Sequence, residues 1–216
     1  PTPAQPPPPA PANPAHRPLI VDAEGRALAV EVSGQPVIII ADADLANNYG
    51  LADPIRAAAA ADVAVVCLGG SSGIDVERDS SATSGEGLDR TDLDLPGRQH
   101  ELVQQVHATG TPTVVVLING RPLATEWIAE HVSGVIEAWL PGEEGGNAIA
   151  DILFGTDPGG RLPVSIPRSV GAVPTRYDCG PGTADHEYVF TDGTPLYPFG
   201  HGESYAAFAY DDLTVT

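Results

Sequence analysis

Seven carboxylates fall in one stretch of loop: Asp75, Glu77, Asp79, Glu86, Asp89, Asp92 and Asp94. In so acidic a chain most acids in such a run are simply solvated. Glu86 has a different setting. It stands between Gly85 and Gly87 in "TSGEGLDRTDLDLPG", and Asp89-Arg90 follows at once. Flanking glycines let a backbone come close to a ligand or take positive φ. An Asp-Arg pair offers an ion pair that holds the loop in one shape, which makes Asp89 and Arg90 candidate loop-orienting residues. A carboxyl on a loop above a sheet end is well placed to give and take protons as a general acid/base.

Other chemistries find less support. "VVCLGGSSG" (65–73) follows a strand-like run, but the G-x-G-x-x-G that would open a helix on a dinucleotide is missing, and a loop of roughly twenty-five residues intervenes. "GGSSG" lacks the G-x-S-x-G spacing of a nucleophile elbow. The six histidines are scattered, with no HExxH and no Cys/His quartet, so neither a metal nor another cofactor is expected. A net charge of −19, with ten arginines and no lysine, argues against nucleic acid and against anionic membrane surfaces. No apolar run is long enough for a transmembrane helix. Cys67 lies in a strand-like run and reads as a small buried hydrophobe; two free thiols are expected rather than a Cys67–Cys179 disulfide. The chain has no methionine and begins with Pro1, which reads as a processed or excised segment.

The elements that would carry this loop repeat along the chain. Residues 1–18 are proline-rich and read as a poorly ordered linker. Strand candidates lie at 27–34 and 36–40, and a helix at 53–61 has Asp53 as N-cap and Pro54 in its first turn. Then come strand 62–70, helix 97–110 with Leu102, Val103 and Val106 on one face, strand 111–120, helix 123–132, strand 133–140, helix 145–155 and a late strand at 161–167. Continuous Val/Ile runs alternating with helices predict an α/β fold, a mostly parallel sheet sandwiched between helices. In such sheets ligands gather at the carboxyl ends of strands, where the Glu86 loop, Asn119-Gly120 and the segment after Leu140 all lie.

Taken together, "GEGLDRTDLDLPG", "LINGRP", "PGEEGGNAIADILFG" and "LYPFGHG" closely resemble the second, (α/β)6-sandwich-like domain of family 3 glycoside hydrolases. These are the β-glucosidases, β-xylosidases and exo-β-glucanases. The resemblance runs over residues 52–216 and implies a domain at 19–205, with 206–216 starting a following fibronectin-like module. It implies a two-step retaining hydrolysis of β-glucosides or related sugars. A nucleophilic aspartate comes from a (β/α)8 barrel domain, in the same polypeptide or as a separate chain. The acid/base glutamate comes from the sandwich domain, and Glu86 matches its position. The insertion "GIDVERDSSAT" makes Glu77 a rival, ranked after Glu86. Asn119, Arg121 and Glu144 have duller readings: Arg121 and Glu144 as residues holding loops together, Asn119 as a cap of a helix or turn. No counterpart of the nucleophile segment occurs in this sequence. A secreted or periplasmic location is expected. The alternative is a non-catalytic carbohydrate-binding or scaffold domain of the same fold.

Overall fold

The computed structural model describes residues 20–21, 27–28, 31–32, 35–41, 51–70, 83–85, 87, 89–178, 188–191, 193–207 and 209. The expectations placed on the 1–18 segment, on Glu77 and Glu86, on Cys179, and on all but Ala209 of the alternating ending 208–216 lie outside the described residues. The chain divides into two compact parts. One comprises Pro1–Cys67, Gly97–Val115 and Val132–Gly134; the other comprises Leu68–Pro96, Val116–His131 and Val135–Thr216.

The first part holds strands β1 (Ile20–Val21), β2 (Ala27–Leu28), β3 (Glu31–Val32) and β4 (Gln35–Ala41), helix α1 (Ala52–Ala59), most of β5 (Val63–Gly69), helix α2 (Gln99–His107) and the start of β6 (Thr113–Ile118). β4 runs parallel to β1 and to β5, with Val37 opposite Val63 and Ala41 opposite Cys67. β2 and β3 are short antiparallel additions to β1 and β4. β5 is buried at Ala64, Val65 and Val66, consecutive residues that point to opposite faces. A strand covered on both faces needs the unbroken apolar run the sequence supplies. On α2, Leu102, Val103 and Val106 are fully buried, as their helical spacing predicts. Gly110, at φ 81, ends that helix and donates to the His107 carbonyl. α1 begins earlier than expected: its N-cap is Leu51, two residues before Asp53, and the Leu51 carbonyl accepts from Ile55 N. Asp53 therefore sits inside the first turn rather than capping it. Pro54 is tolerated there because the first four helical N–H groups have no partner within the helix. At the other end, Thr111 Oγ1 donates at 2.8 Å to the Ala58 carbonyl, which also accepts Ala61 N at 3.1 Å.

The second part holds the ends of β5 and β6, helix α3 (Glu126–His131), most of β7 (Gly134–Glu137), helix α4 (Gly145–Leu153) and a short 3-10 turn (Val170–Ala172). The strand order through the whole sheet is β2-β1-β4-β5-β6-β7. β5, β6 and β7 advance in the same direction. Ala64 N bonds Pro112 O and Gly70 N bonds Ile118 O, while Ser133 N bonds Thr113 O and Ala138 N bonds Leu117 O. Leu68, Val116, Leu117, Leu123 and Ile128 form this part's core. The expected strand at 161–167 is not a strand. Ile166 makes a single antiparallel bridge to Tyr197, because Pro163 and Pro167 remove the donors a longer ladder would need. Gly155, at φ 108, follows α4 as predicted. Among the described residues no helix is long and apolar enough to cross a membrane.

Candidate functional site

The carboxyl ends of β5, β6 and β7 are built from residues that tolerate very close approach. Gly69, the last residue of β5, has φ 150, and a Cβ there would lie 1.7 Å from the Ile118 carbonyl oxygen. Only glycine fits. Gly70 N then donates to the same carbonyl at 3.2 Å, and a Cβ at Gly70 would stand 3.2 Å from Ser84 Cα. The chain that returns at Ser84 is thus packed against the glycine pair that ended the strand. Ser84 Oγ is buried, with no partner among the described residues. Gly85 and Gly87 both take left-handed backbone, at φ 70 and φ 76. Position 86 is therefore flanked on each side by a conformation that only glycine adopts at little cost.

The β6 end reaches this loop directly. Arg121 Nη2 donates to the Gly85 carbonyl at 2.7 Å. Asn119, 1% exposed, donates from Nδ2 to the Arg121 carbonyl at 2.8 Å, fixing the turn from which Arg121 projects. The Glu137 carboxyl accepts Trp139 N at 3.2 Å. The Asn119 amide is assigned with Nδ2 toward the Arg121 carbonyl. Its Oδ1 is buried without a partner among the described residues. Trp139 is the one non-glycine described residue at positive φ, 52, and its carbonyl accepts Asn119 N at 3.1 Å. Backbone held in that region is uncommon for a bulky residue and costs on the order of 1–3 kcal/mol. Burial pushes the Glu137 carboxyl up to about 7, against the opposing pull of the Trp139 and Asn119 hydrogen bonds.

Glu86 and Glu77 lie outside the described residues. Arg90 pairs with Asp92 at 2.8 Å and donates to the Asp94 carbonyl at 2.7 Å. Asp89 is exposed. Aspartate's short side chain reaches backbone two residues on, and Asp92 also accepts Asp94 N at 3.2 Å; the arginine therefore joins a turn already centred on Asp92. Arg121 bridges two loops, as expected. Glu144 does not: it accepts Asn147 Nδ2 at 2.6 Å within the opening of α4. Glu137 and Trp139 were not among the sequence candidates. The signal was there, since a lone acid inside the apolar run "GVIEAWL" is out of place unless it has partners. Cys67 is a free thiol pushed up to about 11 by burial.

The family model for the glycosyl hydrolase family 3 C-terminal domain matches residues 19–205. The chain belongs to that family. The family 3 domain is 44% identical over 173 residues to a β-xylosidase of Formosa agariphila, covering 78% of this chain and 23% of the relative. It is 40% identical over 175 residues to a periplasmic β-glucosidase of Salmonella typhimurium, covering 76% and 22%. Among solved structures, a β-glucosidase from Erythrobacter marinus superimposes with TM-score 0.66 at 40% identity, over 88% of this chain and 23% of that one. A β-glucosidase from Listeria innocua in complex with glucose gives 0.58 at 31% identity, over 71% and 22%. The chain thus spans under a quarter of the length of these relatives.

Proposed function

We propose that this domain supplies the general acid/base, Glu86, to a retaining β-glycosidase whose nucleophilic aspartate comes from a (β/α)8 barrel domain. The observation that carries the reading is the Arg121–Gly85 hydrogen bond. It secures the backbone immediately before position 86, inside the "GEGLDR" segment, between two left-handed glycines. The relatives' names support hydrolysis of β-glucosides or β-xylosides, and the greater length of those relatives leaves ample room for a barrel. The periplasmic relative supports a periplasmic or secreted location.

The role has two halves. The protonated carboxyl first gives its proton to the leaving glycosidic oxygen while the barrel aspartate attacks the anomeric carbon. The resulting carboxylate then takes a proton from the water that hydrolyses the glycosyl-enzyme. Retention requires the two carboxyls about 5–5.5 Å apart. A carboxyl near a second carboxylate and partly covered by sugar holds its proton to higher pH, as the first half needs.

Assaying the domain with and without a family 3 barrel on a nitrophenyl β-glucoside tests the division of labour. Turnover is expected only with both. Glu86→Gln is expected to lower kcat/KM on an unactivated β-glucoside by about 10²–10⁴-fold. Full activity of that variant, or a comparable loss in Glu77→Gln alone, would reassign the role.

A further inference from the structure

The contacts at the sheet's carboxyl end form a continuous relay, and its last link is the loop backbone. The Glu137 carboxyl accepts Trp139 N, the Trp139 carbonyl accepts Asn119 N, the Asn119 amide donates to the Arg121 carbonyl, and the Arg121 guanidinium donates to the Gly85 carbonyl. We propose that Glu137, Asn119 and Arg121 are positioning residues for the carboxyl at position 86. Glu137 holds the Trp139 backbone, and through it Asn119 and the turn that aims Arg121 at the loop. The inference rests on the acid/base reading of Glu86 and deepens it.

Four features support the relay over a set of incidental surface contacts. Asn119 is buried and holds its neighbours with both backbone and side chain: its N–H donates to the Trp139 carbonyl as its amide donates to the Arg121 carbonyl. Trp139 keeps a left-handed backbone whose N–H is tied to the Glu137 carboxyl. An unfavourable conformation persists where its surroundings over-determine it, and such places concentrate at functional sites. The Arg121 link joins residues thirty-six positions apart in sequence, so it fixes one loop against another rather than shaping its own turn. Finally, the neighbouring glycines at 85 and 87 have no side chains with which to hold themselves, so the loop depends on an external anchor. Proton transfer is steep in geometry: a displacement of about 1 Å in a reacting group can cost about 10²-fold in rate.

The distinguishing experiment uses the barrel-bearing enzyme and two substrates. Phenyl β-glucoside needs its leaving oxygen protonated; 2,4-dinitrophenyl β-glucoside releases a phenolate stable enough to depart without a proton. A positioning role predicts that Glu137→Ala and Arg121→Met each lose about ten- to a hundredfold in kcat/KM on the phenyl substrate. On the dinitrophenyl substrate they should lose less than about threefold. Glu137→Gln keeps an acceptor oxygen for Trp139 N and is expected to restore the phenyl substrate to within about threefold of wild type. Combining Glu86→Gln with Arg121→Met should add little to the single Glu86→Gln loss, because both act on one group. If Glu137→Ala does not fold, Arg121→Met, altered at a half-buried turn, carries the test. Equal losses on both substrates, or no loss on either while Glu86→Gln remains leaving-group dependent, would overturn the relay and leave the acid/base reading standing. A Glu86→Gln variant without leaving-group dependence would remove both.

Discussion

Replacing Glu137 by glutamine should change how stability depends on pH, with a sign that the structure fixes. The carboxyl has an ordinary value of 4.5 and is raised to about 7 in the fold, chiefly by burial. Between those values the folded state binds more protons than the unfolded chain, so its stability falls as pH rises and levels off above about 7. At about 1.4 kcal/mol per pH unit, the raised carboxyl costs the neutral-pH fold at most about 3 kcal/mol relative to acid pH. Residual solvent contact reduces this toward ~2 kcal/mol. Glutamine matches the shape and does not titrate. Urea unfolding of both proteins, at constant ionic strength between about pH 4 and pH 8, gives a difference curve in which the other carboxylates cancel. Tryptophan fluorescence is a suitable probe because Trp139 is itself bonded to this carboxyl. The stability of Glu137→Gln relative to wild type should climb by ~2–3 kcal/mol from pH 4.5 to pH 7 and then stay flat. A flat curve would mean the carboxyl is not desolvated. A descending one would mean that a partner holds it ionised, and either result would refute the burial argument.

Three further outcomes follow from the same geometry. Gly69→Ala should destabilise the protein by several kcal/mol, about 3 or more, since its Cβ meets the Ile118 carbonyl at 1.7 Å with φ at 150; a change under about 1 kcal/mol by urea unfolding would contradict that packing. Asn119→Asp replaces the amide that donates to the Arg121 carbonyl by an acceptor, and should cost about 2–4 kcal/mol at neutral pH, less in acid; equal cost at both pH values would argue against the assigned amide orientation. With its thiol pushed up to about 11, Cys67 in a Cys179→Ser background should react with a thiol reagent at pH 8 at least about a hundredfold more slowly when folded than when unfolded, and prompt native labelling would show that it is not buried.

The parts of this fold legible in the sequence are those written as periodicity. β5 and β6 announce themselves as unbroken Val/Ile runs, α2 by the spacing of Leu102, Val103 and Val106, and its end by Gly110. Residues 161–167 misled because apolar content outweighed two prolines whose missing donors limit the segment to one bridge. Asp53 misled because a side chain suited to capping says nothing of where the backbone begins to turn, which here is Leu51. The site divides in the same way. The glycines around position 86 and the bridging role of Arg121 were readable as residue types. The pairing of Arg90 with Asp92 depends on the path of the backbone. Glu137 escaped notice because its significance comes from burial and from the left-handed turn at Trp139, neither of which has a periodic signature.

The central claim, a proton-transferring carboxyl at position 86, is tested most directly by azide rescue in the barrel-bearing enzyme. With a reactive aryl β-glucoside, Glu86→Ala should accumulate glycosyl-enzyme, because no base remains to activate water. Added azide, which needs no such base, should then restore turnover and yield β-glucosyl azide of retained configuration. Turnover indifferent to azide in Glu86→Ala, with rescue appearing in Glu77→Ala instead, would contradict the account.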